Sequence, residues 1–242
     1  MSRPAGFVEI RQDADICWLR EDGLPSLSSE VFEPAFWQAR NAVTGTATGR
    51  GTTFFVRHGE HELVLRHYRR GGLFGRLVKD LYAGLDPGNS RAMRELTLLA
   101  SMRAEGLPVP APIGARLRRV GPLYRADLLI ARIPSAKDLL AVLQAAALRA
   151  DQWQQIGAMI RRFHAAGIDH TDLNIHNILL DDAGQSWLID FDKCSRRAAG
   201  DWQQANLARL QRSLRKEKGK QPSLHWDESH WAMLLSGYHG HR

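Results

Sequence analysis

Trp153, Ile156, Ile160 and Phe163 recur at spacings of 3, 4 and 3 in an otherwise polar run. This is the pattern of a helix with one buried stripe, and it predicts a helix over Asp151 to Ala165, capped by Asp151 and stopped by Gly167. Helical texture also predicts Asp138 to Arg149, a helix opening at Asp201 and running into a basic stretch ending at Lys220, and a last helix over Asp227 to Leu235. Between them, Asn177 to Leu180 and Trp187 to Ile189 are short apolar runs joined by Asp181-Asp182-Ala183-Gly184, which reads as a small hairpin.

The first half has a different texture. Thr52 to Val56 and Glu62 to Tyr68 have strand character around the turn at His58-Gly59, and Asn41 to Thr48 joins them through Gly49-Arg50-Gly51. A helix capped by Asn89 or Ser90 runs to about Ala104, Pro108, Pro110 and Pro112 force a non-helical connection, and strands follow at Ala115 to Arg119 and Tyr124 to Ile133. The first forty residues offer one short strand, Ile16 to Leu19, and one short helix, Glu30 to Ala39. Strands first and helices afterwards predict an α+β chain of two lobes. One lobe is 1–133, with an extension over 1–40 and a β-rich part over 41–133; the other is a helical lobe over 134–242. A single continuous domain is the alternative. Residues 41–133 lack the strand–helix alternation of a parallel dinucleotide-binding sheet.

Composition narrows the setting. With 44% hydrophobic residues in 242, the chain can bury a core, and two cysteines, Cys17 and Cys194, rule out a disulfide scaffold. The opening MSRPAGFVEI lacks the apolar run of a signal peptide, and no stretch is long enough to span a bilayer, so membrane contact is expected to be peripheral. Lys and Arg outnumber Asp and Glu by 33 to 26, a balance suited to an anionic partner.

The sharpest chemistry lies in His170-Thr-Asp172-Leu-Asn-Ile-His-Asn177 and Trp187-Leu-Ile-Asp190-Phe-Asp192. Carboxylates and an amide gathered at the ends of a hairpin are costly unless a cation sits between them. Asn177 and Asp190 offer the oxygen ligands that Mg²⁺ takes together with substrate phosphates, and Asp172 stands where it can accept a proton from an attacking hydroxyl. The plainer reading is a set of surface carboxylates on an irregular turn, with His170 a hydrogen-bonded core histidine.

The H-x-D-L-x-x-x-N run resembles the catalytic loop of protein kinases and their small-molecule relatives, and Asp190-Phe191 resembles the start of their metal-binding signature. The resemblance implies Asp172 as the catalytic carboxylate and Asn177 and Asp190 as the residues that hold Mg²⁺. In the first half, Gly45, Gly49 and Gly51 resemble the glycine-rich nucleotide loop, although the spacing departs from G-x-G-x-x-G. Arg66, in Leu63-Val-Leu-Arg66, stands where the nucleotide-binding lysine would be, and Glu95 matches the helix glutamate that pairs with it. Asp201-Trp202 resembles the helix start that braces the catalytic loop, implying that the Asp201 carboxylate accepts backbone N–H groups near His170; an exposed N-cap is the alternative.

About ten residues separate Asp190 from the next helix, and there is no A-P-E, so a short segment replaces the long activation loop of protein kinases. With Gly49-Arg-Gly51-Thr52, the strand Leu65 to Gly72 and the linker Arg132 to Leu139, the set resembles the lipopolysaccharide kinase family, and most closely its branch acting on 3-deoxy-D-manno-octulosonic acid (Kdo). That resemblance implies transfer of the γ-phosphate of ATP to a sugar hydroxyl of the lipopolysaccharide inner core, the 4-hydroxyl of Kdo on a lipid A precursor, at the cytoplasmic face of the inner membrane. A heptose-directed kinase of the same family, an aminoglycoside- or choline-type kinase, and a non-catalytic module binding anionic surfaces are the other readings. Two basic stretches, 66–79 and 209–220, suit an anionic glycolipid, and the first interleaves its cations with Leu73, Phe74, Leu77 and Val78. No nucleic-acid-binding module is recognisable, so nucleic acid is not an expected partner.

Overall fold

The computed structural model describes residues 4–21, 28–48, 52–68, 80–83 and 86–240. They form two units, Met1–Ser101 with Pro110–Arg132, and Met102–Val109 with Ile133–Arg242. The first is an antiparallel β-sheet lobe and the second is largely helical, the two-lobed organisation of a protein-kinase-like fold.

The first unit is built on strands β1 (Phe7–Gln12), β2 (Asp15–Arg20), β3 (Val43–Thr48), β4 (Thr52–His58), β5 (His61–His67), β6 (Tyr82–Ala83), β7 (Pro112–Val120) and β8 (Leu123–Ala131). The sheet order is β1-β2-β7-β8-β5-β4-β3, with β6 added to β8. Leu63 and Leu65 of β5 bury one face against Val31, Phe32 and Trp37, the last in the short helix α1 (Pro34–Gln38). Period-two alternation sends Arg66 to the other face, where helix α2 (Arg91–Ala104) begins with Ser90 Oγ accepting from Met93 N at 3.3 Å.

The first forty residues hold more sheet than the sequence predicts. β2 pairs with β7, and Asp15 on β2 accepts from both Nε and Nη2 of Arg118 at 2.7 Å. β1 is an edge strand on which only Phe7 is buried, so it carries no apolar alternation to read. Gly45 lies inside β3, beside a bulge, within the run expected to lead into the turn; the turn residues Gly49 and Gly51 are outside the described residues. The same is true of 69–79, which includes most of the first basic stretch.

In the second unit, β9 (Lys137–Asp138) leads into α3 (Leu139–Ala145), where Asp138 Oδ1 accepts from Ala141 N at 2.7 Å. This helix is shorter than predicted because Ala146 turns extended, at φ −159°. Helix α4 (Ala150–Ala165) is capped at Arg149, whose N–H donates to Gln152 Oε1; Asp151 sits in the first turn instead of capping it. The chain continues through β10 (Ile168–Asp169), β11 (Ile178–Leu180), β12 (Ser186–Leu188) and β13 (Ser195–Arg196). It ends in helices α5 (Trp202–Lys220) and α6 (Glu228–His239). The hairpin β11–β12 forms as predicted, and Asp181 fixes its turn by accepting from the N–H groups of Ala183 and Gln185 and from Trp187 Nε1.

Helices α4 and α6 meet main chain to main chain. A Cβ on Gly157 would lie 1.9 Å from Leu234 O, and one on Gly237 would lie 2.0 Å from Gln154 O. Gly157→Ala should therefore destabilise the protein by on the order of 3 kcal/mol, the upper range for forcing an extra methyl into a packed core. A urea titration giving a midpoint equal to the parent's would contradict this crossing.

Candidate active site

The loop from His170 to Asn177 alternates anchors and presented groups. His170, Leu173, Ile175 and Asn177 are buried, while Asp172 and His176 reach the surface. Leu173 N donates to His170 O at 3.1 Å, and the Asp172 carbonyl accepts from two side-chain amides, Asn174 Nδ2 at 2.8 Å and Asn177 Nδ2 at 2.9 Å. The main chain under Asp172 is thus held from both directions, which fixes where its carboxylate can point.

A single residue ties this loop to the segment carrying Asp190. Ile189 N donates to Asn177 O at 3.0 Å, and Ile189 O accepts from His170 Nε2 at 2.9 Å. The His170 ring meets Phe191 edge-on at 5.0 Å, and Phe191 stacks on Phe163 of α4 at 6.0 Å. Burial holds the His170 imidazole below its ordinary pKa, so it is neutral and donates through Nε2. Asp190 itself has φ +65°, a left-handed conformation that an L-residue adopts at a cost and that clusters at functional sites.

Asn177 and Asp190 provide hard oxygen donors. The Asn177 amide nitrogen is turned onto the Asp172 carbonyl, and its Oδ1 accepts no hydrogen bond from the described residues. Such a pair fits Mg²⁺, which keeps waters and phosphate oxygens in its remaining positions. No group of three or more His, Cys, Asp or Glu side chains among the described residues would hold a metal ion by itself.

In the first unit, Arg66 and Glu95 form an ion pair. Arg66 Nη2 lies 2.6 Å from Glu95 Oε1 and 2.5 Å from Oε2, and Tyr68 Oη donates to Oε2 at 2.5 Å. Glu95 is 4% exposed, so these donors offset the desolvation of its charge. Burial and the adjacent carboxylate push the Tyr68 phenol well up, which keeps it a donor. On the other face of β5, His67 Nδ1 meets Asp127 Oδ1 at 2.6 Å, and that bond raises the imidazole pKa; Asp127 Oδ2 accepts from Arg116 Nε at 2.8 Å.

Two contacts were not foreseen. Asp201 makes no side-chain capping bond and is exposed, so it does not brace the loop near His170. That role falls to Asn206, whose Nδ2 donates to the buried Asp169 Oδ1 at 2.8 Å, while Arg197 Nη1 reaches Oδ2 at 2.8 Å. Asp172 meets Arg209 of α5, with Nη2 at 2.5 Å and Nε at 3.1 Å from the same oxygen, Oδ1. The only sequence signal for Arg209 was its place in a run of cations.

The family description "lipopolysaccharide kinase (Kdo/WaaP) family" matches residues 34–238. Similar curated proteins carry the name 3-deoxy-D-manno-octulosonic acid kinase. One from Vibrio vulnificus strain YJ016 is 50% identical over 208 residues, covering 86% of this chain and 88% of that protein. One from Vibrio parahaemolyticus is 46% identical over 226 residues, covering 93% and 94%. One from Haemophilus influenzae is 44% identical over 239 residues, covering 96% and 99%.

Asn206→Ala should cost about 2 kcal/mol, since it withdraws a donor from a buried carboxylate, whereas Asp201→Ala should stay within about 0.5 kcal/mol of the parent. Equal urea midpoints for the two variants would refute the assignment of the brace. The histidines set a pH dependence. Burial holds His164 at about 4 and His170 below its ordinary value, so the unfolded chain takes up protons that these sites refuse. Their contribution is complete above about pH 6.5 and is lost as the pH falls towards 4. His67, with its raised pKa, acts in the opposite sense. His164→Phe should therefore narrow the difference between unfolding midpoints measured at pH 7.5 and 5.5.

Proposed function

The chain belongs to the lipopolysaccharide kinase (Kdo/WaaP) family, and we propose that it is an ATP-dependent kinase that phosphorylates the 4-hydroxyl of a Kdo residue on a lipid A precursor. The observation that carries this reading is the folding of the Asp172–Asn177 loop onto Ile189, beside Asp190, in a chain whose relatives bear the name of that activity. The acceptor hydroxyl oxygen attacks the γ-phosphorus, its proton passes to Asp172, and the bond to the β-phosphate oxygen breaks to leave ADP. Arg209 occupies Oδ1 of Asp172, so Oδ2 is the oxygen that meets the hydroxyl.

Asn177 Oδ1 and the Asp190 carboxylate would hold Mg²⁺, which when bound offsets the charge of the ATP phosphates. Arg66, oriented by Glu95, is the cation that the first unit offers to nucleotide phosphates. Arginine presents a planar fork where lysine presents a point charge, so the surrounding carboxylate and phenol are matched to guanidinium geometry. A glycolipid acceptor puts the enzyme at the cytoplasmic surface of the inner membrane as a peripheral protein. Among the described residues no helix is long and apolar enough to cross a membrane.

Transfer of labelled phosphate from ATP to a Kdo-bearing lipid A precursor tests the assignment. Asp172→Asn should lower kcat by about 10²-fold or more with ATP affinity retained, the scale of general-base assistance. Turnover close to the parent's would remove Asp172 from the chemistry. Asp190→Ala should abolish Mg²⁺-dependent nucleotide binding, and Arg66→Lys should lower activity despite keeping the charge; a magnesium titration of nucleotide binding and the same transfer assay read these two outcomes.

A further inference from the structure

Helix α5 lies along the catalytic loop in register. Asn206 bonds Asp169 and Arg209 bonds Asp172, each pair 37 residues apart, and Ser213 Oγ accepts from Ile175 N at a separation of 38. Positions 206, 209 and 213 share one helix face, and Lys216 continues it, with Arg212 one ridge away. The cations of this stretch divide by use. Arg215 is paired with Glu228, Lys218 donates to the carbonyls of Pro222 and Leu224, and Lys220 is paired with Glu217. Arg212 and Lys216 are exposed, and neither makes a hydrogen bond or close ion pair among the described residues, although Lys216 lies near enough to Glu217 to stabilise its charge. Arg209 sits between the two groups, because both of its bonded nitrogens address one Asp172 oxygen, and Nη1 has no partner among the described residues.

We infer that this face of α5 is the subsite for the acceptor's carboxylate, with Arg209 shared between that carboxylate and Asp172, and Arg212 and Lys216 extending the site towards neighbouring anionic groups. The inference rests on the proposed function, since an octulosonic acid carries a carboxylate on ring carbon two, close to the hydroxyl on ring carbon four. A guanidinium that holds Asp172 Oδ1 by its Nε edge and the carboxylate by Nη1 fixes the distance between base and acceptor. It thereby selects a sugar acid over a neutral sugar of the same shape. Charge-assisted, planar pairing of this kind is where arginine outperforms lysine.

The test compares a Kdo-bearing acceptor with its methyl ester, by calorimetric binding without nucleotide and by phosphate transfer. The parent should bind the free acid about 10- to 100-fold more tightly than the ester, the range for losing one charge-assisted hydrogen bond. In Arg209→Ala this ratio should collapse to about one, with the KM for ATP unmoved, and Arg209→Lys should restore only part of it. Arg212→Ala and Lys216→Ala should each weaken binding of the free acid. An acid-to-ester ratio that stays as large in Arg209→Ala as in the parent overturns the subsite, and so does a loss confined to kcat, which would make Arg209 only a support for Asp172. Binding of the acid without any transfer by the parent defeats the kinase reading and leaves the subsite to be judged on the binding ratio alone.

Discussion

The peptide unit at Ile189 is the constraint on which the second unit's chemistry depends. Its N–H is committed to the Asn177 carbonyl and its carbonyl to His170 Nε2. Two buried backbone groups must find partners wherever this segment runs, and here both are found in the catalytic loop. The loop and the Asp190 segment are consequently one structure. A neutral imidazole suits this role better than a charged one, since burial opposes a second proton more strongly than the nearby Asp190 and Asp172 carboxylates favour it.

The first unit solves a different problem, the burial of a carboxylate beside an arginine. Glu95 is surrounded by Arg66 and the Tyr68 phenol, so the charge that orients the guanidinium is itself satisfied. Removing one member of such a pair costs about 3–5 kcal/mol because the other is left buried and uncompensated. The arrangement therefore resists drift of the cation away from its position on β5.

Much of this was legible in the sequence because it rests on local pattern. The α4 stripe, the turn at Asp181 and the spacing from His170 to Asn177 are all properties of contiguous residues, and the structure realises each of them. What escaped reading is what depends on pairing across distance. Asn206 and Asp169 are polar residues with no periodicity to connect them, and Asp201, nearer in type to a familiar brace, turns out to be solvent-exposed. Arg209 was hidden among cations that look alike in sequence and differ only in what faces them. The two-residue strands β9, β10 and β13 are too short to carry any alternation.

The glycine crossing of α4 and α6 also has a consequence in time. Where backbone meets backbone, no side chain can rotate to make room, so small local openings are denied to these helices. Amides at this crossing are expected to exchange with solvent more slowly than those elsewhere on the two helices. The catalytic loop, which leaves α4 through β10, is attached to that slow base at one end. At its other end the loop runs into β11, which pairs with β12. Asp172 is thus carried on a loop whose start is tied to a helix pair with no room to give.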